Sequence, residues 1–103
     1  MTFGEALELL KQGKMLCRKG WNGKDLFIFM QVPAIIGKDT VPKMTSLPQS
    51  VKDEFAKRSN DENYQVSEIY YSDQIALVNS SNLIQGWSPS TPDSLAKDWC
   101  LYK

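Results

Sequence analysis

The chain has 103 residues, a length that fits a single domain over residues 1–103. Hydrophobic residues make up 42% and aromatic residues 11%, which is typical of a globular protein and too apolar for a disordered one. The formal net charge is zero and no apolar run reaches the roughly 18 to 20 residues of a membrane span, so we expect neither DNA nor RNA binding and no membrane insertion.

The N-terminus lacks the basic start and apolar run of a secretory signal. The two cysteines, Cys17 and Cys100, lie far apart in the sequence. We therefore expect a cytoplasmic protein with reduced thiols, and a Cys17–Cys100 disulfide is the less favoured alternative.

The first predicted element is a helix over residues 3–12. Thr2 followed by Glu5 is a capping box, and apolar residues then recur at helical spacing. Gly13 is expected to end this helix.

A β-hairpin is predicted next. Residues 14–19 and 25–32 are rich in apolar and aromatic side chains, as strands are. The segment Gly20-Trp21-Asn22-Gly23 between them contains the Asn-Gly signal of a tight turn. Trp21 is therefore expected at the tip of the hairpin.

The middle of the chain is rich in proline and polar residues. We expect a long loop over Pro33–Leu47, closed by a second capping box in which Ser46 caps and Gln49 reaches back. A short helix should follow with Val51 and Phe55 on its buried side.

Strands are predicted again over residues 64–71, 74–78 and 82–87, extending the same sheet. The turn Asn79-Ser80-Ser81 joins the last two. A final strand is expected over residues 99–102.

A short helix is predicted between these last strands. Ser90 and Thr91 precede Pro92 and Asp93, which gives a cap, a proline in the first turn and a carboxylate near the helix start, with the end near Lys97. The predicted fold class is therefore α+β, an antiparallel sheet of about five or six strands with two or three short helices.

Catalytic and metal-binding signals are missing. Histidine is absent, which removes the commonest general base and metal ligand. No zinc-type cysteine spacing and no phosphate-binding glycine motif is present. Asp93 and Asp98 would not share one helix face well, so capping is favoured over acid/base catalysis. We expect no metal, no cofactor and no enzymatic activity.

Two tryptophans stand in loop-like settings, where a large ring either packs on the core or contacts a ligand. Taken singly, Trp21 and Trp87 favour the core. Small polar or charged residues lie beside them in the sequence: Asn22, Lys24, Ser90 and Thr91. Together these side chains offer the stacking surface, amide, cation and helix start that a nucleotide requires.

A basic stretch without an intervening acidic residue runs through the first quarter of the chain: Lys11, Lys14, Arg18, Lys19 and Lys24. It is either a solvated basic face or a local site for phosphate groups. On the second interpretation we expect Arg18 to be a phosphate partner.

Three segments resemble a known family of small phage and prophage proteins. They are the opening Phe3-Gly4-Glu5-Ala6-Leu7, the turn Gly20-Trp21-Asn22-Gly23-Lys24 with its apolar strand, and the ending Trp87…Asp93-Ser94-Leu95-Ala96-Lys97-Asp98-Trp99. The span Tyr71–Trp87 also resembles the family's central hairpin in length. The family is the second class of Thoeris anti-defence proteins.

The resemblance implies a signal sponge in the cytoplasm of the infected bacterial host. Such proteins form homotetramers that hold glycocyclic ADP-ribose, the signal of bacterial TIR-domain defence proteins, unchanged in pockets between protomers. Some relatives also hold cyclic oligonucleotides at separate sites. This chain departs from the usual pattern at Pro33–Asn63, a longer segment than expected, which leaves the choice of signal open.

The resemblance also assigns roles to residues. Trp21, Asn22 and Lys24 would face the ligand, while Trp87 and the segment Ser90–Asp93 would line the same or a neighbouring protomer's pocket. The negative charge of Asp93 argues against a phosphate beside it, so we expect Asp93 to accept a hydrogen bond from a ribose hydroxyl. The expected scaffold residues are Phe3, Gly4, Leu95 and Trp99.

Two other functions are compatible with the same residues. A protein-interaction module would use Trp21 and Trp87 as hot spots for a partner chain and would bind no nucleotide. A small hydrolase would destroy the signal through Asp93 and Asp98.

Overall fold

The computed structural model describes residues 1–21, 24–64 and 66–103. The chain divides into two compact units, one built from residues 1–32 and 73–103 and the other from residues 33–72. Among the described residues, no helix has the length and apolarity needed to cross a membrane.

The elements confirm the predicted α+β class. The α-helices are α1 (Phe3–Lys11), α2 (Gln49–Ser59) and α3 (Thr91–Leu95). The strands are β1 (Leu16–Arg18), β2 (Phe27–Gln31), β3 (Ala34–Ile36), β4 (Ile69–Tyr71), β5 (Gln74–Val78), β6 (Ile84–Gly86) and β7 (Trp99–Leu101). Single 3₁₀ turns cover Lys19–Trp21 and Val41–Lys43.

The predicted start and end of α1 are confirmed. The Thr2 hydroxyl accepts from the backbone N–H of Glu5, and the Glu5 carboxylate accepts from the backbone N–H of Thr2, which completes the capping box. Gly13 follows the helix with a φ of 86°, a left-handed conformation that glycine adopts without steric cost. These local signals set both ends of α1.

The first unit contains a five-stranded antiparallel sheet in the order β6-β5-β2-β1-β7. β1 pairs with β2 through Leu16 opposite Ile28, so the predicted hairpin is confirmed. Its central turn residues, Asn22 and Gly23, lie outside the described residues. On its other side β1 pairs with β7, which places Arg18 opposite Trp99.

The core of the first unit lies between α1 and one face of this sheet. Its fully buried members are Ala6, Leu10, Leu16, Ile28 and Trp99. Since alternate residues of a strand point to opposite faces, the middle residues of β1 and β7, Cys17 and Cys100, point away from α1.

The second unit departs from the prediction of a long loop. β3 and β4 pair antiparallel as a separate two-stranded sheet, with Ile36 opposite Ile69. The prediction that β4 extends the main sheet is therefore wrong. Ile69 is 9% exposed, and this local pairing already provides it with an apolar neighbour.

The predicted capping box at Ser46 and Gln49 is also wrong. Pro48 occupies the N-cap position of α2 and no side chain caps the helix. Proline disfavours helical conformation in the residue before it, so Leu47 cannot begin the helix that Ser46 would cap. Val51, predicted to be buried, is 36% exposed, and α2 has no fully buried residue.

The C-terminal predictions are confirmed with small changes of boundary. The Asn79 side chain accepts from the backbone N–H groups of Ser81 and Leu83, which closes the turn between β5 and β6. α3 ends at Leu95 instead of near Lys97. The resemblance placed Leu95 in the scaffold, but its side chain is 74% exposed.

Candidate functional site

Four aromatic rings meet in the first unit and form what we call the aromatic cluster: Phe3, Trp21, Trp87 and Trp99. Trp99 lies at its centre, with ring centroids 5.3 Å from Phe3, 5.5 Å from Trp21 and 6.0 Å from Trp87. Trp21 and Trp87 are 6.5 Å apart in an edge-to-face arrangement, a favoured geometry for aromatic pairs. Residues from opposite ends of the chain thus build one apolar surface.

The three tryptophans differ in exposure. Trp99 is 1% exposed, and its indole N–H donates to the backbone carbonyl of Asp93 at 2.9 Å. Trp21 and Trp87 are half-buried and pack against the core from its margin. Phe3 and Trp99 therefore build the scaffold as predicted, and Trp21 and Trp87 combine a packed side with a solvent-accessible one.

Local structure places both marginal tryptophans. Trp21 ends the 3₁₀ turn that directly follows β1, and its carbonyl accepts from the backbone N–H of Lys24 at 3.3 Å. Trp87 directly follows β6, and its backbone N–H donates to the carbonyl of Ile75 at 2.9 Å. Each ring is thus carried by a segment fastened to the five-stranded sheet.

An ion cluster borders the aromatic cluster. Arg18 donates from Nε to Asp98 Oδ1 at 2.9 Å and from Nη1 to Asp93 Oδ1 at 2.8 Å. Asp98 also accepts from the backbone N–H of Gly20 at 2.9 Å. A Cβ at residue 20 would lie 3.1 Å from the Asp98 carboxylate, so this close approach favours glycine.

Both carboxyl groups are held ionised. The Arg18 hydrogen bond, followed by that of the Gly20 N–H, lowers the pKa of Asp98. Burial acts to raise the pKa of Asp93, but hydrogen bonds from Ser90 and Arg18 outweigh it and the pKa falls below its usual value. Asp98 and then Asp93 raise the pKa of the Arg18 guanidinium. One cation facing two carboxylates leaves this ion cluster net negative.

The start of α3 is closed by its own side chains. Asp93 Oδ2 accepts from the backbone N–H of Ser90 at 3.0 Å and from the Ser90 hydroxyl at 2.7 Å. The Ser90 hydroxyl in turn accepts from the backbone N–H of Asp93 at 3.2 Å. Thr91, the first residue of α3, is exposed.

The structure brings most of the predicted site residues together in the first unit. Arg18 and Asp93 are bonded directly, Ser90 joins them through the capping box, and Trp21 and Trp87 are neighbours in the aromatic cluster. Lys24 is exposed and follows Trp21 closely in the chain. Asn22, also predicted to face the ligand, lies outside the described residues.

Sequence reasoning missed the partnership between Arg18 and the two carboxylates. The prediction that Arg18 binds phosphate stays a prediction, and a phosphate would have to compete with carboxylates already in contact with the guanidinium. This contact could have been predicted only from the strand order, because the pairing of β1 with β7 brings Arg18 beside Asp98.

A separate cavity of about 320 Å³ lies within the second unit and contains none of the predicted site residues. Its basic side chains are Lys38, Lys52 and Arg58, and its acidic ones are Asp39 and Glu68. Arg58 pairs with Glu54 at 2.9 Å, and Lys52 donates to the carbonyl of Pro42 at 3.2 Å. The mixed charge of this lining does not select one class of ligand.

The fold and the candidate site define a small α+β domain whose distinctive feature is an aromatic surface beside an internally paired ion cluster. Comparison with known proteins identifies the family. The model of the Tad2-like family, the Thoeris anti-defense 2-like domain, matches residues 1–102. The chain belongs to this family.

A phage relative supports the assignment. The chain is 33% identical over 99 residues to Thoeris anti-defense 2 of Bacillus phage SP01, covering 96% of this chain and 91% of the relative. The family match runs through the segment Pro33–Asn63, which was predicted to be a departure from the pattern, and extends well beyond the half of the chain that carried the resemblance.

The ion cluster predicts an acid-sensitive fold. The folded-state pKa values of Asp93 and Asp98 lie below their unfolded values, so the stabilisation is fully present above the unfolded pKa of about 4 and is lost as pH falls through the folded values. Urea unfolding at a series of pH values should show the free energy of unfolding falling steeply below pH of about 4. The Asp98→Asn variant should be less stable than the wild type at neutral pH. Its free energy of unfolding should also fall less steeply as the pH is lowered below about 4.

Glu8→Gln is the matched control, because Glu8 lies on the exposed surface of α1 and its one ion pair among the described residues is with Lys11 at 3.2 Å. This variant should have nearly the same free energy of unfolding as the wild type at neutral pH, and nearly the same decrease at acid pH. If the free energy of unfolding falls equally steeply with decreasing pH in the wild type and in Asp98→Asn, the role assigned to the ion cluster is contradicted.

Proposed function

We propose that this protein counters bacterial defence by binding and sequestering a nucleotide signal without degrading it. The signal class is glycocyclic ADP-ribose made by TIR-domain enzymes, with cyclic oligonucleotides as a second ligand class, and residues 1–103 act as one signal-sequestering domain in the cytoplasm of the infected host. The observation that carries the proposal is the match of residues 1–102 to an anti-defence family.

The aromatic cluster supports a nucleotide as the ligand. Trp21 and Trp87 are half-buried, and their contacts with Trp99 restrain the rings before a ligand arrives. Restrained aromatic rings lose little side-chain entropy on binding and present a stacking surface that any base can use. Stacking on Trp21 or Trp87 is therefore the contact we propose for the base or ribose.

Polar groups near these rings supply the remaining contacts of the proposal. Lys24 is exposed and offers a cation for phosphate, and Thr91 offers an exposed hydroxyl. Asn22 would add an amide, Ser90 and Asp93 would accept from ribose, and Arg18 would add a second phosphate contact. Because Arg18 already contacts two carboxylates, Lys24 is the stronger candidate for the phosphate.

The state of the carboxylates supports storage of the signal over its hydrolysis. A general acid must hold a proton near neutral pH, and the lowered pKa values of Asp93 and Asp98 keep both groups ionised there. Both are also bonded to Arg18, which makes them poor bases. The ion cluster is better suited to positioning β7 and α3 than to acid/base chemistry.

Incubation of the purified protein with glycocyclic ADP-ribose, followed by removal of the protein, heating and chromatography, tests the proposal. A sponge depletes the free signal and releases it intact on heating. A hydrolase would leave a cleaved product, and a protein-interaction module would never deplete the signal. Either of these last outcomes would overturn the proposal.

A homotetramer is part of the proposal, since pockets between protomers are the implied binding sites. Exposed apolar side chains at an edge of the main sheet support self-association: Leu83 and Ile84 at β6 are 53% and 59% exposed, and edge strands carry unpaired backbone groups. Light scattering should give a mass four times the protomer's 11.7 kDa. A mass equal to one protomer in dilute solution would contradict the assembly.

The ring of Trp21 should contribute to the affinity for the ligand in addition to packing against the core. Trp21→Leu keeps an apolar side chain against Trp99 but removes the stacking ring, so binding should weaken by about 1–3 kcal/mol, roughly five- to 150-fold. Calorimetric titration with the cyclic signal measures this loss, and thermal unfolding without ligand reports any change in stability. Unchanged affinity in a folded Trp21→Leu protein would remove Trp21 from the site.

Two control variants outside the candidate site test whether the losses of affinity are specific to the ring of Trp21 and the charge of Lys24. Tyr70→Leu removes a ring that is 61% exposed in the second unit and should leave the affinity unchanged. Lys24→Ala should weaken binding of the diphosphate, less so as salt is raised, whereas Lys57→Ala on exposed α2 makes the same charge change without effect.

A further inference from the structure

Cys17 and Cys100 lie directly opposite each other on two antiparallel strands. They are register partners in the pairing of β1 with β7, and their Sγ atoms are 3.6 Å apart. Both are free thiols and both are half-buried. Strand pairing thus aligns two side chains that are separated by most of the sequence.

The strand pairing brings the backbones of the two cysteines within reach of a cross-link. The N–H of Tyr102 donates to the carbonyl of Met15, and the N–H of Lys19 donates to the carbonyl of Asp98. Hydrogen-bonded pairs alternate along an antiparallel ladder, so residues 17 and 100 also form such a pair, with Cα atoms about 5.5 Å apart. Disulfides most often join Cα atoms about 5.5–6 Å apart.

We propose that Cys17 and Cys100 are a redox pair that closes into an intramolecular cross-strand disulfide when the protein meets a small-molecule disulfide such as oxidised glutathione. The Sγ atoms must approach each other from 3.6 Å to the S–S bond length of about 2 Å, and the strand register already places them opposite each other. No metal or protein partner takes part.

The reaction balances as thiol–disulfide exchange. One cysteine loses its proton, attacks a sulfur of the oxidant and expels one glutathione thiolate, which leaves a mixed disulfide. The second cysteine loses its proton, attacks the protein sulfur of that mixed disulfide and expels the second glutathione thiolate. Two protein thiols are oxidised to one disulfide, and the oxidant is reduced to two thiols.

The surroundings of the pair slow its reaction with an oxidant. Burial, followed by the hydrogen bond with Cys100, raises the pKa of the Cys17 thiol to about 11, so this side chain is protonated at neutral pH. Closure is a two-electron oxidation, so it requires an oxidant and is reversed by excess reduced thiol. The cysteines remain reduced in a reducing cytoplasm and cross-link under oxidising conditions.

The cross-link would fasten the C-terminal strand without entering the aromatic cluster. Cys100 stands between Trp99 and Leu101 in β7, and its side chain points to the opposite face of the sheet from Trp99. Joining residues 17 and 100 closes a loop that includes most of the chain, and long loops give the largest restriction of the unfolded state. Oxidation should therefore stabilise β7 against β1 and leave the candidate ligand site unchanged.

Equilibration of the full chain in mixtures of reduced and oxidised glutathione, quenched with an alkylating agent and analysed by intact mass, tests the proposal. The expected product is a monomeric chain that has lost two hydrogen atoms and takes up no alkyl group. Its melting temperature should exceed that of the reduced chain by about 10–20 °C. Reduction should restore both the mass and the melting temperature.

The variants Cys17→Ser, Cys100→Ser and the double variant are the controls. None of them should gain thermal stability from the oxidant. Accumulation of two glutathione adducts on the wild type, or of disulfide-linked dimers, would overturn the proposal. An intramolecular disulfide without a rise in melting temperature would overturn the stabilisation of β7 against β1. All readouts are made without ligand, so failure of signal binding would leave this result unaffected.

Discussion

The burial of Trp99 is the interaction on which the rest of the first unit depends. Its ring contacts Phe3 from the N-terminus, Trp21 from the turn after β1 and Trp87 from the segment after β6. Its indole N–H satisfies the carbonyl of Asp93 at the start of α3. One side chain near the C-terminus thereby fixes the relative positions of three distant segments, and the half-exposed tryptophans acquire their orientation from it.

The Arg18 ion cluster complements this apolar anchor. Desolvation of three charged groups is costly, and direct hydrogen bonds from Arg18 to both carboxylates offset that cost. Apolar packing is non-directional, whereas guanidinium and carboxylate groups bond only in defined geometries. The ion cluster therefore fixes the relative orientation of the segments that carry these three side chains. It also makes Asp93 and Asp98 poor candidates for acid/base chemistry, which agrees with the proposed sequestration of a signal.

Local signals predicted much of the first unit, and the second unit shows where such signals fail. The α1 capping box, the Gly13 stop and the Ser90–Asp93 cap depend on neighbours in sequence, and all three are confirmed. The strand β4 was also recognised, but its partner was not, since an apolar strand accepts any complementary edge. At α2, the effect of Pro48 on the residue before it outweighed an otherwise convincing capping pattern.

The sequence by itself determined the α+β class, the caps of α1 and α3, the absence of histidine chemistry and the family to which the chain belongs. These properties follow from residue types and short sequence spacings, which do not depend on the tertiary structure. Only the tertiary structure decided that Arg18 faces two carboxylates, that Trp21 and Trp87 meet over Trp99, and that Cys17 lies opposite Cys100. Each of these contacts joins residues far apart in sequence through the position of β7 beside β1, and strand order is a property of the folded sheet as a whole.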